Sequence, residues 1–143
     1  MSLALGYEYK KTAVETSTPE KLLLMLYEGA ISFLKEAIAA AEGKDYPAVN
    51  ERLQRVQAIV GELMATLNPN YEVSRQLMTL YDYFLRRLIE ANVKKDQAIM
   101  EEVLGMLSEL KGVWEEAARK ARSERGREGV AAPRPAGGLN IQW

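Results

Sequence analysis

The sequence has 143 residues, 48% apolar and 27% charged, enough for one domain around one sizeable core. Its formal net charge of −1 excludes the broad basic field that drives nucleic-acid binding, so no nucleic-acid partner is expected. With no cysteine and no histidine, it lacks thiolate nucleophiles, zinc–thiolate sites, the commonest general base and the Glu-x-x-His metal motif of helical bundles. Catalysis, a metal site and a cofactor are therefore not expected.

Residues 1–17 include Leu3, Leu5, Tyr7, Tyr9 and Val14. They are too apolar for a free tail and too short for a core helix, and they lack the basic-then-apolar pattern of a cleaved signal. The longest apolar run, Leu22 to Tyr27, falls far short of the ~20 residues of a membrane span. These features predict a chain with no cleaved signal and no membrane span, and with a short N-terminal capping segment.

The run Thr16-Ser17-Thr18-Pro19-Glu20 is a helix start. Either Thr18 caps with Pro19 at the first helical position, or Ser17 caps with Glu20 three residues on. The first helix is predicted to run to about Glu42, with Gly43 ending it. Asp45-Tyr46-Pro47 opens a second helix whose apolar seam is Val49, Leu53, Val56, Val60, Leu63 and Leu67. After the break at Asn68-Pro69-Asn70, a third helix carries Val73, Leu77, Leu80, Phe84, Leu88 and Ala91 on one face. Asp96 can cap a fourth helix with Ile99, Val103, Leu107, Leu110, Trp114 and Ala117 inward, running to about Arg122. Glu115 with Arg119, and Glu116 with Lys120, are spaced for ion pairs on its outer face. Short connections make neighbouring helices antiparallel, so the fold predicted is an all-α, up-down-up-down four-helix bundle over residues 18–122. Residues 123–143 hold four of the ten glycines and two of the five prolines, and are predicted to be a disordered tail. The tail ends Leu139-Asn140-Ile141-Gln142-Trp143, an alternating pattern that reads either as a meaningless terminus or as a docking segment.

The first helix is more apolar than a bundle requires. On a wheel at about 100° per residue, its apolar side chains run from Leu22 and Phe33 at one edge to Ile31 and Leu24 at the other, an arc of roughly 200°. Joining a bundle needs a stripe only a little over ~100° wide. Either the helix is central and touches both neighbours, or part of the arc lines a groove for an amphipathic helix.

The ordered set Tyr9, Val14, Thr16, Thr18-Pro19, Leu22 and Met25-Leu26-Tyr27-Glu28-Gly29-Ala30 resembles the opening motif of the bacterial flagellin export chaperones, the FliS family. Asn50, Val60, Glu62-Leu63 and Leu67 resemble the second helix of that family. Leu80-Tyr81-Asp82-Tyr83, Arg87-Leu88, Ala91-Asn92 and Asp96 resemble its third helix and following turn, and Trp114 its late tryptophan. The resemblance covers about residues 5–120. It implies a cytoplasmic chaperone that holds the C-terminal segment of flagellin before type III export; the segment becomes helical when wrapped around the bundle, and premature polymerisation is prevented. The loaded complex would be presented to the export gate at the membrane. It also implies that the N-terminal segment sits over part of the groove when flagellin is absent.

Periodicity and resemblance together make Leu22, Met25, Leu26 and Phe33 groove candidates on the first helix. Asn50, Leu53 and Gln57 on the second helix form a strip whose polar pair would bracket an apolar floor and pin a bound backbone. Tyr9 and Val14 are assigned to the cover. The competing readings are core positions for the first set and a solvated flank for the second. Tyr81, Asp82 and Tyr83 read as structural. The basic stretch from Arg119 to Arg127 reads as a solvated helix end or a contact with an acidic partner at the gate. A monomer or weak dimer is expected. The other functions considered are an adaptor for a different amphipathic helix or export regulator, a carboxylate-only enzyme, and a constitutive oligomer.

Overall fold

The computed structural model describes residues 18–128, which form four helices: α1 (Pro19–Glu42), α2 (Tyr46–Ala65), α3 (Glu72–Lys94) and α4 (Gln97–Glu128). Each start has a local cause. Thr18 Oγ1 accepts from the Lys21 N–H at 3.2 Å with Pro19 in the first turn of α1. Asp45 Oδ1 accepts from the Ala48 N–H at 3.3 Å to open α2. Asp96 Oδ1 accepts from the Ala98 and Ile99 N–H groups at 3.0 and 3.3 Å to open α4. Gly43 ends α1 as expected, but the left-handed residue of that turn is Lys44, at φ 59°. The α3–α4 turn likewise puts Lys95 at φ 52°.

The helices form an antiparallel ring in which α1 packs on α2 and α4, and α3 packs on the same two neighbours. All-α architecture and up-down order are as expected from the sequence. The core is a layered stack: Leu23, Tyr27, Ala30, Leu34 and Ala37 from α1; Val49, Leu53, Val56, Val60 and Leu63 from α2; Leu77, Tyr81, Phe84, Leu88 and Ala91 from α3; and Ile99, Met100, Val103, Leu107 and Trp114 from α4. Across its diagonal the Tyr27 and Tyr81 hydroxyls hydrogen-bond at 2.7 Å. Burial pushes both phenols up, and the bond to Tyr81 offsets part of that for Tyr27.

Several details differ from the sequence expectation. Ala118, not Ala117, is the last buried residue of α4, and Met100 joins the core. On α3, Ser74 and Tyr81 are buried, while Val73 and Leu80 stand at the edge of the seam. α4 continues past Arg122 to Glu128. Glu115 pairs with Lys111 at 2.7 Å instead of Arg119, which turns to Glu116. Among the described residues no helix is long and apolar enough to cross a membrane.

Candidate functional site: two apolar edges flanking α2

Antiparallel packing fixes which residues share a level, because seven residues make almost two helical turns. Between α2 and α3 the anchor is a hydrogen bond from Asn92 Nδ2 to Asn50 Oδ1 at 2.8 Å. Seven residues on along α2 and back along α3, Gln57 comes level with Leu85; seven further, Met64 comes level with Met78. This seam is capped by polar groups at one end and opens into an apolar strip. Met78 is 38% exposed and Ile89, three residues before Asn92, is 50% exposed. Leu85 and Met64 form the partly buried floor. The charges bordering that side of α3 are engaged: Asp82 and Arg86 pair with each other at 3.0 Å, and Arg75 Nη1 donates to the Pro69 carbonyl at 3.0 Å.

Between α1 and α2 the rungs are different. Arg52 Nε donates to Glu36 Oε1 at 2.6 Å, and the Arg55 guanidinium lies 5.3 Å from the Phe33 ring centroid. One turn further, Gly29 faces Ile59 so closely that a Cβ would stand 3.3 Å from Ile59 Cδ1. Leu26 and Leu22 continue this edge toward the start of α1.

The residues singled out in the sequence are therefore divided. Leu22, Met25, Leu26 and Phe33 are partly buried, and Leu22, Leu26 and Phe33 lie on the α1–α2 edge. Asn50, exposed, and Gln57, partly buried, lie on the α2–α3 edge. The structure does not bring the two sets into one trough; they flank α2 on opposite sides. Leu53 is fully buried between them and is a core residue, not a groove residue. The reason is its place in the same four-and-three seam as Val49, Val56 and Val60, which points at the bundle axis. Tyr9 and Val14 lie outside the described residues.

The sequence reading missed Met64, Met78, Leu85 and Ile89. Their signal was present: Met78, Leu85 and Ile89 each follow a core residue of α3 by one position, making a second stripe beside the seam. The wide arc of α1 faces both of the neighbours it packs on. Its middle is core, while Leu26 and Phe33 on one flank and Leu24, Ile31 and Ile38 on the other are only partly covered by α2 and α4.

The α3–α4 face carries a charge cluster. Tyr83 donates to Glu102, and Arg87 Nε and Nη2 donate to Glu102 Oε1 at 3.0 and 2.8 Å. The Tyr83 hydroxyl, then the Arg87 guanidinium, hold the Glu102 carboxyl below its usual range. Every member has a partner, so the cluster ties two helices together. Among the described residues there is no group of three or more carboxylates able to hold a metal.

The family model described as "Flagellar protein FliS" matches residues 2–121. The "Flagellar secretion chaperone FliS" of Bacillus subtilis (strain 168) is 40% identical over 86% of this chain and 93% of its own length. The protein of the same name from Salmonella typhimurium is 35% identical over 82% of this chain and 89% of its own. "Flagellar secretion chaperone FliSB" of Pseudomonas aeruginosa is 28% identical over 76% of this chain and 90% of its own.

Proposed function

The chain belongs to the FliS family of flagellar proteins, and from that membership we propose that it is a cytoplasmic export chaperone for flagellin. In this reading it binds the C-terminal segment of flagellin, prevents premature polymerisation and delivers the cargo to the type III export gate. The observation that carries the reading is the open apolar strip of Met64, Met78, Leu85 and Ile89, with Asn50 and Gln57 beside it to take backbone polar groups.

Magnitudes favour a long ligand. Burying four large apolar side chains gains on the order of 6–12 kcal/mol if each were fully exposed beforehand, and these are not. Association and ordering cost ~4–15 kcal/mol. The strip alone therefore comes close to break-even. A segment that also crosses α2 to cover Leu22, Leu26 and Phe33 gains a second set of contacts, which fits a ligand wrapped around the bundle. Tyr9 and Val14 belong to a segment that covers part of this surface before cargo arrives. The chaperone acts as a monomer or weak dimer.

Calorimetry with the C-terminal segment of the cognate flagellin tests this. A stoichiometric complex, a negative heat-capacity change and gained helicity in the ligand are expected. Ile89→Asp should weaken binding at least tenfold, about 1.4 kcal/mol. Leu53→Ala should cost stability, ~2–5 kcal/mol, while the molecules that remain folded still bind. No complex with a verified cognate segment would end the flagellin reading. An unaffected Ile89→Asp variant would end the assignment of the strip.

A further inference from the structure

α4 has 32 residues against 20 to 24 in the other helices. Its last buried residue is Ala118, so it continues about ten residues, or ~15 Å, past the end of the bundle. Residues 129–143 follow, beyond the stretch matched by the family model. They include Pro133, Pro135 and Gly137-Gly138, and then the alternating Leu139, Ile141 and Trp143.

At the same end of the bundle the α3–α4 seam is open. The Tyr83–Glu102 bond sets the antiparallel register, which puts Leu80 within one residue of the level of Met106 and Val73 within one residue of the level of Val113. Val113 is 55% exposed, and Val73, Leu80, Met106 and Leu110 are only partly covered. No charged side chain is among these five. The other seam beside α4 is walled by Glu28, Lys35, Lys111 and Glu115. The α2–α3 strip lies across the bundle from α4, which packs on α1 and α3.

We propose that residues 139–143 fold back and dock on the α3–α4 strip formed by Val73, Leu80, Met106, Leu110 and Val113. The dimensions match. From Glu128 to the level of Val113 is about 23 Å along α4, and the ten residues 129–138 span up to ~33 Å, leaving slack for the reversal. An extended Leu139–Trp143 covers about 13 Å with its three apolar side chains on one face. The strip from Val113 to Met106 is about 10 Å long. Asn140 and Gln142 then face water. The inference stands independently of the cargo proposed above.

Nuclear magnetic resonance on the full chain and on a chain ending at Gly138 tests it. The shorter chain loses one of two indole N–H signals, which identifies Trp143. Truncation should shift signals of Val73, Leu80, Met106 and Val113, and Val113→Glu in the full chain should move the Trp143 indole to its free-peptide position. Because Val113 is exposed, that variant keeps the fold; Met106→Gln provides a second, milder variant with the same expected direction. A Trp143 indole already at the free position in the unsubstituted chain overturns the proposal. So do shifts confined to another face, shifts that vanish on dilution, as a second copy would give, or shifts at the strip produced by removing residues 1–17 and not by removing 139–143.

Discussion

At the scale of single residues, the Tyr27–Tyr81 pair shows how polarity is handled inside the bundle. Each hydroxyl is withdrawn from water and each satisfies the other at 2.7 Å. Removing one partner strands the other, which costs about 1–3 kcal/mol, whereas removing both leaves two rings of similar shape. Urea unfolding should therefore find Tyr27→Phe and Tyr81→Phe each destabilising by that amount and the double variant by less than their sum. The pair also sets an alkaline limit. Burial raises both phenols above their ordinary value of 10.0, so above that pH the unfolded chain ionises while the folded chain does not. This contribution is intact below pH 10 and declines as pH rises beyond it, and the double Phe variant should lose that part of the slope. Trp114 is handled less completely: its buried Nε1 meets no geometric hydrogen-bond acceptor among the described residues, although the indole lies near enough to Tyr27 to favour that phenol's ionised form.

At the scale of elements, α4 lies against α1 with Gly105 and Gly112 on its outer flank, where an added Cβ would meet nothing within 4 Å. Glycine in a helix interior costs about 0.5–1 kcal/mol relative to alanine, so Gly112→Ala should stabilise the chain by about that much in urea titrations. The helices themselves were legible in the sequence because Thr18-Pro19, Asp45, Asn68-Pro69-Asn70 and Asp96 act locally. The far end of α4 was not, since no proline or second neighbour halts it at Arg122 and it runs on through Gly126 to Glu128. The site was legible only in part. Asn50 and Gln57 could be placed on one face of α2 by spacing alone. Which side of α2 that face adjoins depends on the handedness of the ring, and no single helix wheel contains it. Leu53 illustrates the same limit, since a wheel cannot separate a core residue from the floor of a groove one position away.

At the scale of the whole molecule, both ends of the described chain, residue 18 and residue 128, lie at the same end of the bundle. The described chain thus begins one turn before Leu22, at the mouth of the α1–α2 edge, where the proposed cover would compete with the proposed cargo. Deleting residues 1–17 should speed association with the flagellin segment in stopped-flow measurements and raise binding of an apolar dye. Unchanged kinetics in a monomeric truncated bundle would remove the cover from the account. The diagonal tyrosine bond acquires a further meaning from the two edges that flank α2. It ties α1 to α3, the helices on which those edges end, and a slip of one turn would separate the hydroxyls by 5.4 Å. The bond thus works as a gauge block: it holds the spacing between the Phe33 edge and the Ile89 edge constant.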